Sequence, residues 1–178
     1  TSDFYGDALL TISADDGPDN PATVRDVDIT VVAVNDDPTI SVPDDATVRL
    51  GDLALDLVGF EVDDVTDSQH LGNLDPNSEF SVDSPFVLEI KSDGGQIKVE
   101  TPGSLAITGN ESSTVEMTGS LDDLNAALAD VSFSGAIGTY TVTATLDDSG
   151  FVDETDNSPS NLTASDSFQV TVRPNTSP

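Results

Sequence analysis

Alternation of polar and apolar residues over short stretches is the feature that most restricts the fold of this 178-residue chain. Residues Thr139–Thr145 read Thr-Tyr-Thr-Val-Thr-Ala-Thr, so every second side chain is a threonine. A period of two is typical of a β-strand that buries one face and exposes the other. The same pattern predicts strands at Ala8–Ser13, Asp28–Val34, Phe86–Ile90, Gln96–Glu100 and Ser167–Val172.

Turn-forming residues separate these strands. Asp16–Pro18 reads Asp-Gly-Pro, Asp75–Asn77 reads Asp-Pro-Asn, and Asp93–Gly95 reads Asp-Gly-Gly. Short strands joined by such turns predict an all-β, antiparallel Greek-key sandwich.

One short helix is expected at Leu121–Ala129. Ser120, followed three residues later by Asp123, resembles a capping box at its start. Apolar residues at helical spacing then place one face of the helix against the core: Leu121, Leu124 and Leu128.

The charge of the chain is strongly negative, with 34 Asp and Glu against 5 Lys and Arg and a formal net charge of −29. This field repels nucleic acids and anionic membranes. A protein adapted to high salt would scatter its carboxylates, whereas a cation site needs several together. Acidic pairs recur where strands end or turn: Asp15-Asp16, Asp36-Asp37, Asp44-Asp45, Asp63-Asp64, Asp122-Asp123 and Asp147-Asp148. Their clustering favours cation binding.

Other compositional features narrow the function classes. The chain has no Cys, so metal ions are the remaining way to cross-link the fold. A single histidine, His70, supports neither a catalytic triad nor a zinc site, and no phosphate-binding loop is found. We therefore expect no enzymatic activity. Three sequons would accept N-linked sugar in a eukaryotic secreted protein: Asn110, Asn161 and Asn175.

An internal repeat divides the chain. Tyr5–Asp16 aligns with Ile137–Asp148 at an offset of 132, and Asp28–Val31 aligns with Gln169–Val172. Residues 39–178 therefore form one complete unit, and residues 1–38 form the last strand pair and linker of a preceding unit. Two strands cannot bury a core alone. Three hypotheses remain open: the chain is a slice of a longer array, the strand pair packs on the following unit, or it completes a neighbouring molecule.

Four stretches together resemble the cadherin-like repeats of giant bacterial, RTX-type adhesins and related surface proteins. Val34–Pro38 resembles their Val-Asn-Asp-x-Pro linker, and Gly59–Asp64 resembles an early acidic strand. Gly119–Leu128 contains a Leu-Asn-x-x-Leu helix motif, and Thr143–Asp148 is a strand that ends in an acidic pair. The resemblance implies an Ig-like sandwich, secretion to the cell surface, a tandem arrangement and calcium at the junctions. Pro174–Pro178, the second linker, has no acid where the first has two.

Calcium prefers six to eight oxygen ligands, which Asp-rich turns can supply. We expect a junction site built from linker and strand-end residues: Asn35, Asp36, Asp37, Glu61, Asp63, Asp64, Asp147 and Asp148, or Asp15 and Asp16 from the preceding unit. The alternative is that these acids are turn residues that only hydrogen-bond the local backbone.

The function predicted from the sequence is that of an extracellular structural and adhesive repeat, a calcium-rigidified extender of a long cell-surface protein. Its partners would be adjacent repeats or neighbouring subunits. Two alternatives stay open: a subunit of an extracellular filament or surface layer assembled by strand exchange, and a module that binds a glycan or a surface protein.

Overall fold

The protein is described here by a computed structural model. It describes residues 6–15, 23–31, 37–50, 55–64, 85–100, 104–149, 151–152 and 159–175. The strands are β1 (Gly6–Ala14), β2 (Thr23–Val31), β3 (Thr39–Ser41), β4 (Ala46–Arg49), β5 (Leu55–Asp56), β6 (Glu61–Asp63), β7 (Phe86–Ser92), β8 (Gln96–Val99), β9 (Ala106–Thr108), β10 (Thr114–Gly119), β11 (Val131–Ser134), β12 (Gly138–Asp147), β13 (Phe151–Val152), β14 (Pro159–Ser160) and β15 (Thr163–Arg173). The helix is α1 (Leu121–Leu128).

The larger layer of the fold is a six-stranded sheet in the order β4-β15-β12-β7-β10-β9. Its neighbouring strands are antiparallel except at one edge, where β4 runs parallel to β15. The second layer consists of the β5-β11-β8 and β3-β6 sheets, which are connected by the continuous segment 55–63. The chain passes between the layers repeatedly, for example after β3, β7 and β11. The topology is therefore that of an Ig-like Greek-key sandwich, with one short helix among the described residues. The predicted fold class is confirmed.

Strand alternation determines which side chains form the core. β12 buries Val142, Ala144 and Leu146, while the threonines between them lie on the other face. β15 buries Phe168, Val170 and Val172 in the same way. These side chains meet buried residues of the second layer, such as Phe133 and Ile97, in one continuous apolar cluster. The strand predictions therefore hold for β7, β8, β12 and β15.

Helix α1 begins as its sequence predicts. The Ser120 hydroxyl accepts a hydrogen bond from the backbone N–H of Asp123 at 3.2 Å, which satisfies one of the unpaired donors of the first turn. The Asp123 carboxylate instead accepts from the Ser104 hydroxyl, also at 3.2 Å. Leu121, Leu124 and Leu128 are all buried, which confirms that they pack in the core. In the described segments of the chain, no helix is long and apolar enough to cross a membrane.

The turn between β7 and β8 is the one predicted at Asp93–Gly95. Gly95 has a φ of +77°, and a Cβ there would lie 2.7 Å from the carbonyl oxygen of Ser134, so a side chain does not fit. Asp93 Oδ1 accepts a hydrogen bond from the Thr141 N–H at 3.0 Å, which ties the turn to β12. The other two predicted turns, Asp16–Pro18 and Asp75–Asn77, lie outside the described residues, as do Val32–Val34 at the end of one predicted strand.

Tyr140, near the start of β12, closes the connection from β11. Its hydroxyl donates to the carbonyl oxygen of Ala136 at 2.9 Å, and its ring lies 5.3 Å from the ring of Phe133. A tyrosine in this position that bonds back to the preceding loop is the tyrosine corner of Ig-like sandwiches. It holds the crossing between the two layers in place.

Strands β1 and β2 form an antiparallel hairpin, from the Gly6–Val31 pair to the Ala14–Thr23 pair. Several large apolar side chains remain exposed on it, among them Leu10, Ile12 and Ile29. The hairpin corresponds to the predicted strand pair of residues 1–38.

Replacement of Tyr140 by Phe tests the corner. We expect this substitution to lower the free energy of unfolding by about 0.5–1.5 kcal/mol, because one hydrogen bond is lost while the ring contact is kept. Urea denaturation of both proteins measures the difference. Unchanged stability would show that the Tyr140 hydroxyl does not stabilise the β11–β12 crossing.

Candidate functional site

The short sheet β3-β6 joins the linker to the predicted acidic strand. Thr39 pairs with Asp63, and Ser41 pairs with Glu61. The Thr39 hydroxyl also donates to the carbonyl oxygen of Asp63 at 3.2 Å. Thr39 follows Pro38 directly, and Pro38 is buried while Asp37 is exposed. The last residues of the linker are therefore held beside the acids at the end of β6.

The direction of the strands places these acids at one end of the sandwich. β3 lies against β12 and β15. It precedes β4, which runs parallel to β15, so β3 lies toward the beginning of β15. That beginning, at Thr163, is paired with Asp147, the last residue of β12. Phe60, just before β6, packs edge-on against Phe168 at 5.7 Å between ring centroids, which holds the start of β6 against the middle of β15.

The side chain of Asn125 in helix α1 positions the acidic strand. Its Oδ1 accepts from the Val62 N–H at 3.0 Å, and its Nδ2 donates to the Val62 carbonyl oxygen at 2.8 Å. The amide thus makes the two backbone hydrogen bonds that a neighbouring strand would make at Val62, whose side chain is buried. Asn125 is the asparagine of the Leu-Asn-x-x-Leu motif in the sequence, whose leucines predict the helix. The motif is therefore the sequence signal for this residue, although helical spacing gives the asparagine no role.

Asp63 and Asp64, which follow Val62, have different surroundings. Asp63 is exposed, and its Oδ1 accepts from the Asp64 N–H at 2.9 Å. Asp64 is only 1% exposed, and its Oδ2 oxygen is completely shielded from solvent. A carboxylate in this position is costly unless hydrogen bonds or a cation compensate its charge.

The acidic pair at the end of β12 shows the same contrast. Asp147 Oδ1 accepts from the Ser149 N–H at 2.7 Å, which turns the chain at the strand end. Asp148 is 0% exposed, and its Oδ1 accepts from the Leu162 N–H at 3.0 Å. The Asp148 N–H in turn donates to the Leu162 carbonyl oxygen at 3.2 Å. Asp148 therefore ties the end of β12 to the segment that enters β15.

The structure describes only part of the predicted calcium site. Asp37 and Glu61 are exposed beside the β3-β6 sheet, and Asp15 follows the end of β1. Three predicted ligands lie outside the described residues: Asp16, Asn35 and Asp36. Among the residues that the structure describes, no three acidic side chains lie close enough together to hold a metal ion. The described donors are oxygens, as calcium requires, but they supply a partial set, and the complete site stays a prediction.

Other acids hold parts of the backbone in place. Asp45 Oδ1 accepts from the Gln169 N–H at 2.7 Å, which starts the parallel pairing of β4 with β15. Asp122 and Asp123 lie in the first turn of α1, where negative charge is favourable. Part of the acidity of the chain is thus used to hold the backbone, of a distant strand in the case of Asp45 and at a helix end in the case of Asp122 and Asp123.

The sequons differ in their surroundings. Asn110 Nδ2 donates to the Val99 carbonyl oxygen at 3.0 Å and its Oδ1 accepts from the Val99 N–H at 2.9 Å, so this amide is engaged at the end of β8. Asn161 and Asn175 have exposed side chains. Sugar attached at Asn110 would replace a hydrogen of the nitrogen that bonds Val99, whereas Asn161 is open to solvent.

Basic charge is rare on this surface, and Lys98 shows how it is used. Its Nζ lies 2.8 Å from Glu100 Oε2 and 3.5 Å from Glu111 Oε1. The hydrogen bond to Glu100 raises the pKa of Lys98 above its ordinary value, with further contributions from the charge of Glu100 and from Glu111. Lys98 lies on β8, an outer strand of the β5-β11-β8 sheet.

Replacement of Asn125 by Asp tests how the acidic strand is held. The substitution keeps the size of the side chain and removes the Nδ2 donor to Val62. We expect it to lower the free energy of unfolding by about 1–3 kcal/mol, because the Val62 carbonyl loses its partner. Urea denaturation is the measurement, and Asn161→Asp is the control, with the same charge change at an exposed position. A similar loss in both variants would contradict this role.

The sequence matches no protein-family model and no curated protein. A crystal structure of the EC1-2 region of human protocadherin-24 (form II) is similar, with a TM-score of 0.43 and 10% sequence identity, over 94% of this chain and 66% of that chain.

Proposed function

We propose that this chain is an extracellular structural and adhesive repeat, stiffened by calcium where the linker enters the sandwich. One observation carries the proposal: Thr39, the first strand residue after the linker, pairs with Asp63 at the end of the acidic strand. Any ion bound by Asp63 or Asp64 would therefore lie beside the linker. The linker can supply further ligands from Asp36 and Asp37, which stand three and two residues before Thr39.

The electrostatics of the chain support a cation at this position. At a net charge of −29, carboxylates that share one end of a sandwich repel one another. A divalent ion removes this repulsion and joins the groups that bind it. Asp64 and Asp148 are buried, so their charges are little screened by solvent and would gain most from a nearby cation.

The mechanism of such a repeat is mechanical. Without an ion, the linker is attached to the sandwich through the three-residue strands β3 and β6. With calcium bound across linker and strand ends, the linker becomes part of the rigid sandwich. At extracellular calcium near the millimolar range, sites of modest affinity are occupied. Adjacent units would then be held in a fixed direction, so that a terminal binding region is kept away from the cell.

The exposed hairpin β1–β2 favours a second candidate function. Its large apolar side chains are those of a strand pair that completes another sandwich. If that sandwich belongs to a neighbouring molecule, the protein is a subunit of a filament or surface layer assembled by strand exchange.

Calcium binding is tested by thermal unfolding in calcium and in chelator. An ion that binds only the native state at 100 times its Kd stabilises it by about 2.7 kcal/mol. For a chain of this size, we expect a rise in Tm of about 5–10 °C. Calorimetric titration under the same conditions measures the saturable heat. No heat and no change in Tm would overturn the proposed calcium site.

A matched pair of variants locates the ion. Asp63→Asn preserves the Oδ1 that accepts from Asp64 N–H but removes the charge, so we expect it to abolish most of the calcium-dependent rise in Tm. Asp122→Asn removes an exposed charge from the first turn of α1 and should leave the rise unchanged. An equal effect of both substitutions would show that calcium acts on total charge and that no site lies at Asp63.

A further inference from the structure

The two faces of hairpin β1–β2 differ in character. Residues directly opposite in an antiparallel pair share a face, so Leu10 lies with Val27, and Ala8 lies with Ile29. We call this side the apolar face, after the apolar residues that occupy most of it: Ala8, Leu10, Ile12, Val27, Ile29 and Val31. Gly6, Ala14 and Thr23 lie on the same side at the ends of the hairpin, and Arg25, opposite Ile12, is its one charged residue. The opposite side is polar except at Leu9 and Val24.

Hydrogen bonds identify the polar side as the one suited to solvent. The Thr11 hydroxyl donates to Asp26 Oδ1 at 2.7 Å, and the Thr30 hydroxyl donates to Asp7 Oδ1 at 2.8 Å. All these groups remain exposed. On the apolar face, the larger apolar side chains are 37–52% exposed, from Val31 to Ile12. An apolar sheet face of this kind is expected to pack against another layer.

The register of the hairpin equals that of β12–β15. The numbering offset is 132 from Gly6 to Gly138 and 141 from Val31 to Val172, and both pairs are opposite one another in their ladders. With these offsets, Leu10–Val27 becomes Val142–Phe168. At the far end, Ala14–Thr23 becomes Leu146–Ala164. The whole hairpin therefore maps onto β12–β15 without a shift.

The mapping also assigns the faces. The equivalents of the apolar face are Tyr140, Val142, Ala144, Phe168, Val170 and Val172, which are buried in the core or, for Tyr140, packed against it. The polar side maps onto outward residues of β12 and β15, such as Thr143 in place of Thr11. The hairpin thus presents an inner face at every position where β12–β15 has one.

Three neighbours cover β12–β15 in the sandwich. β7 pairs with β12 on the side away from β15, and β4 pairs in parallel with β15 on the side away from β12. The second layer packs across the inner face. In the part of the chain that the structure describes, β1 and β2 pair only with each other. The hairpin has the pattern of a sandwich whose other strands are not among the described residues.

We propose that the apolar face docks onto the second layer of an incomplete sandwich of the kind formed by residues 39–134, contributed by a preceding unit of the same polypeptide. The hairpin then supplies the last two strands of that unit, with a β7-like strand beside β1 and a β4-like strand beside β2. A second copy of this chain is a poorer occupant. Its own residues 39–134 are already covered by β12 and β15, whose ladders with β7 and β4 would have to open.

A chimera tests this docking on the full chain. Residues 39–136 are placed before Tyr5 of the protein, because Ile137, the next residue, is the equivalent of Tyr5. We expect the amide hydrogens of β1 and β2 to exchange about 100-fold more slowly in the chimera than in the original chain, since core strands exchange only through large openings. The amides of β12 and β15, measured in the same sample, report that the original sandwich is folded. Unprotected β1 and β2 beside protected β12 and β15 would overturn the proposal.

Two adjacent leucines give matched controls. Leu10→Asp places a charge on the apolar face and should abolish the protection of β1 and β2 in the chimera. Leu9→Asp places the same charge on the polar side and should preserve it. Equal effects of the two substitutions would overturn the assignment of the faces.

The original chain distinguishes the alternative occupant. If it dimerises in sedimentation experiments, and Leu10→Asp but not Leu9→Asp abolishes the dimer, then a second copy occupies the face and the proposal is overturned. We expect a monomer. All samples are measured both in calcium and in chelator, so a missing calcium response would count against the proposed function without affecting the result for the hairpin.

Discussion

The antiparallel ladder of β12 and β15 holds the larger sheet together, because each of its two outer edges carries the next strand. β7 and, through it, β10 and β9 attach to β12, while β4 attaches to β15. The inner residues of the same two strands, such as Val142 and Phe168, form the floor on which the second layer packs. Burial of these apolar side chains is the main stabilising contribution in a chain without disulfides. The connections and strand ends are positioned by this ladder.

Two asparagine amides complete the second layer where strands are missing. Asn125 bonds both backbone groups of Val62, and Asn110 bonds both backbone groups of Val99. Each amide takes the place of a neighbouring strand at a buried residue, where an unpaired backbone group would cost about 1–3 kcal/mol. Short strands such as β6 can therefore be stable without long ladders. This arrangement leaves the acids after Val62 in a defined place.

Sequence patterns predicted the long strands and the helix because the spacing of apolar residues in each matches the face that is buried in the fold. β12 has ten residues of alternation, and α1 has both a Ser120 cap and three leucines at helical spacing. β3, β5 and β6 have two or three residues each, which is too short for a period to be visible. Their positions depend on tertiary contacts, such as Phe60 on Phe168 and Asn125 on Val62.

The acidic pairs show the same limit of sequence reasoning at the candidate site. Asp45 and Asp63 belong to pairs that read alike, yet Asp45 bonds a distant strand at Gln169 and Asp63 bonds the next residue along the chain. Which oxygens stay available for an ion depends on these partners, and the partners depend on the pairing of strands far apart in sequence. Sequence could indicate that acids collect at strand ends. It could not separate the acids that cap the backbone from those that keep oxygens available for a cation.

The linker between β2 and β3 connects the two proposals. The proposed docking of the hairpin concerns the strand before the linker, and the proposed calcium site concerns the strand after it. β2 ends at Val31, the equivalent of Val172 in β15, and β3 begins at Thr39 beside Asp63. Force applied along the polypeptide would pass from a strand of nine residues, through the linker, into a strand of three residues. The attachment after the linker is the weaker one, because β3 has only a short ladder with β6. An ion that joins linker carboxylates to Asp63 or Asp64 would strengthen this attachment. These acids therefore lie beside the strand that would separate first under force.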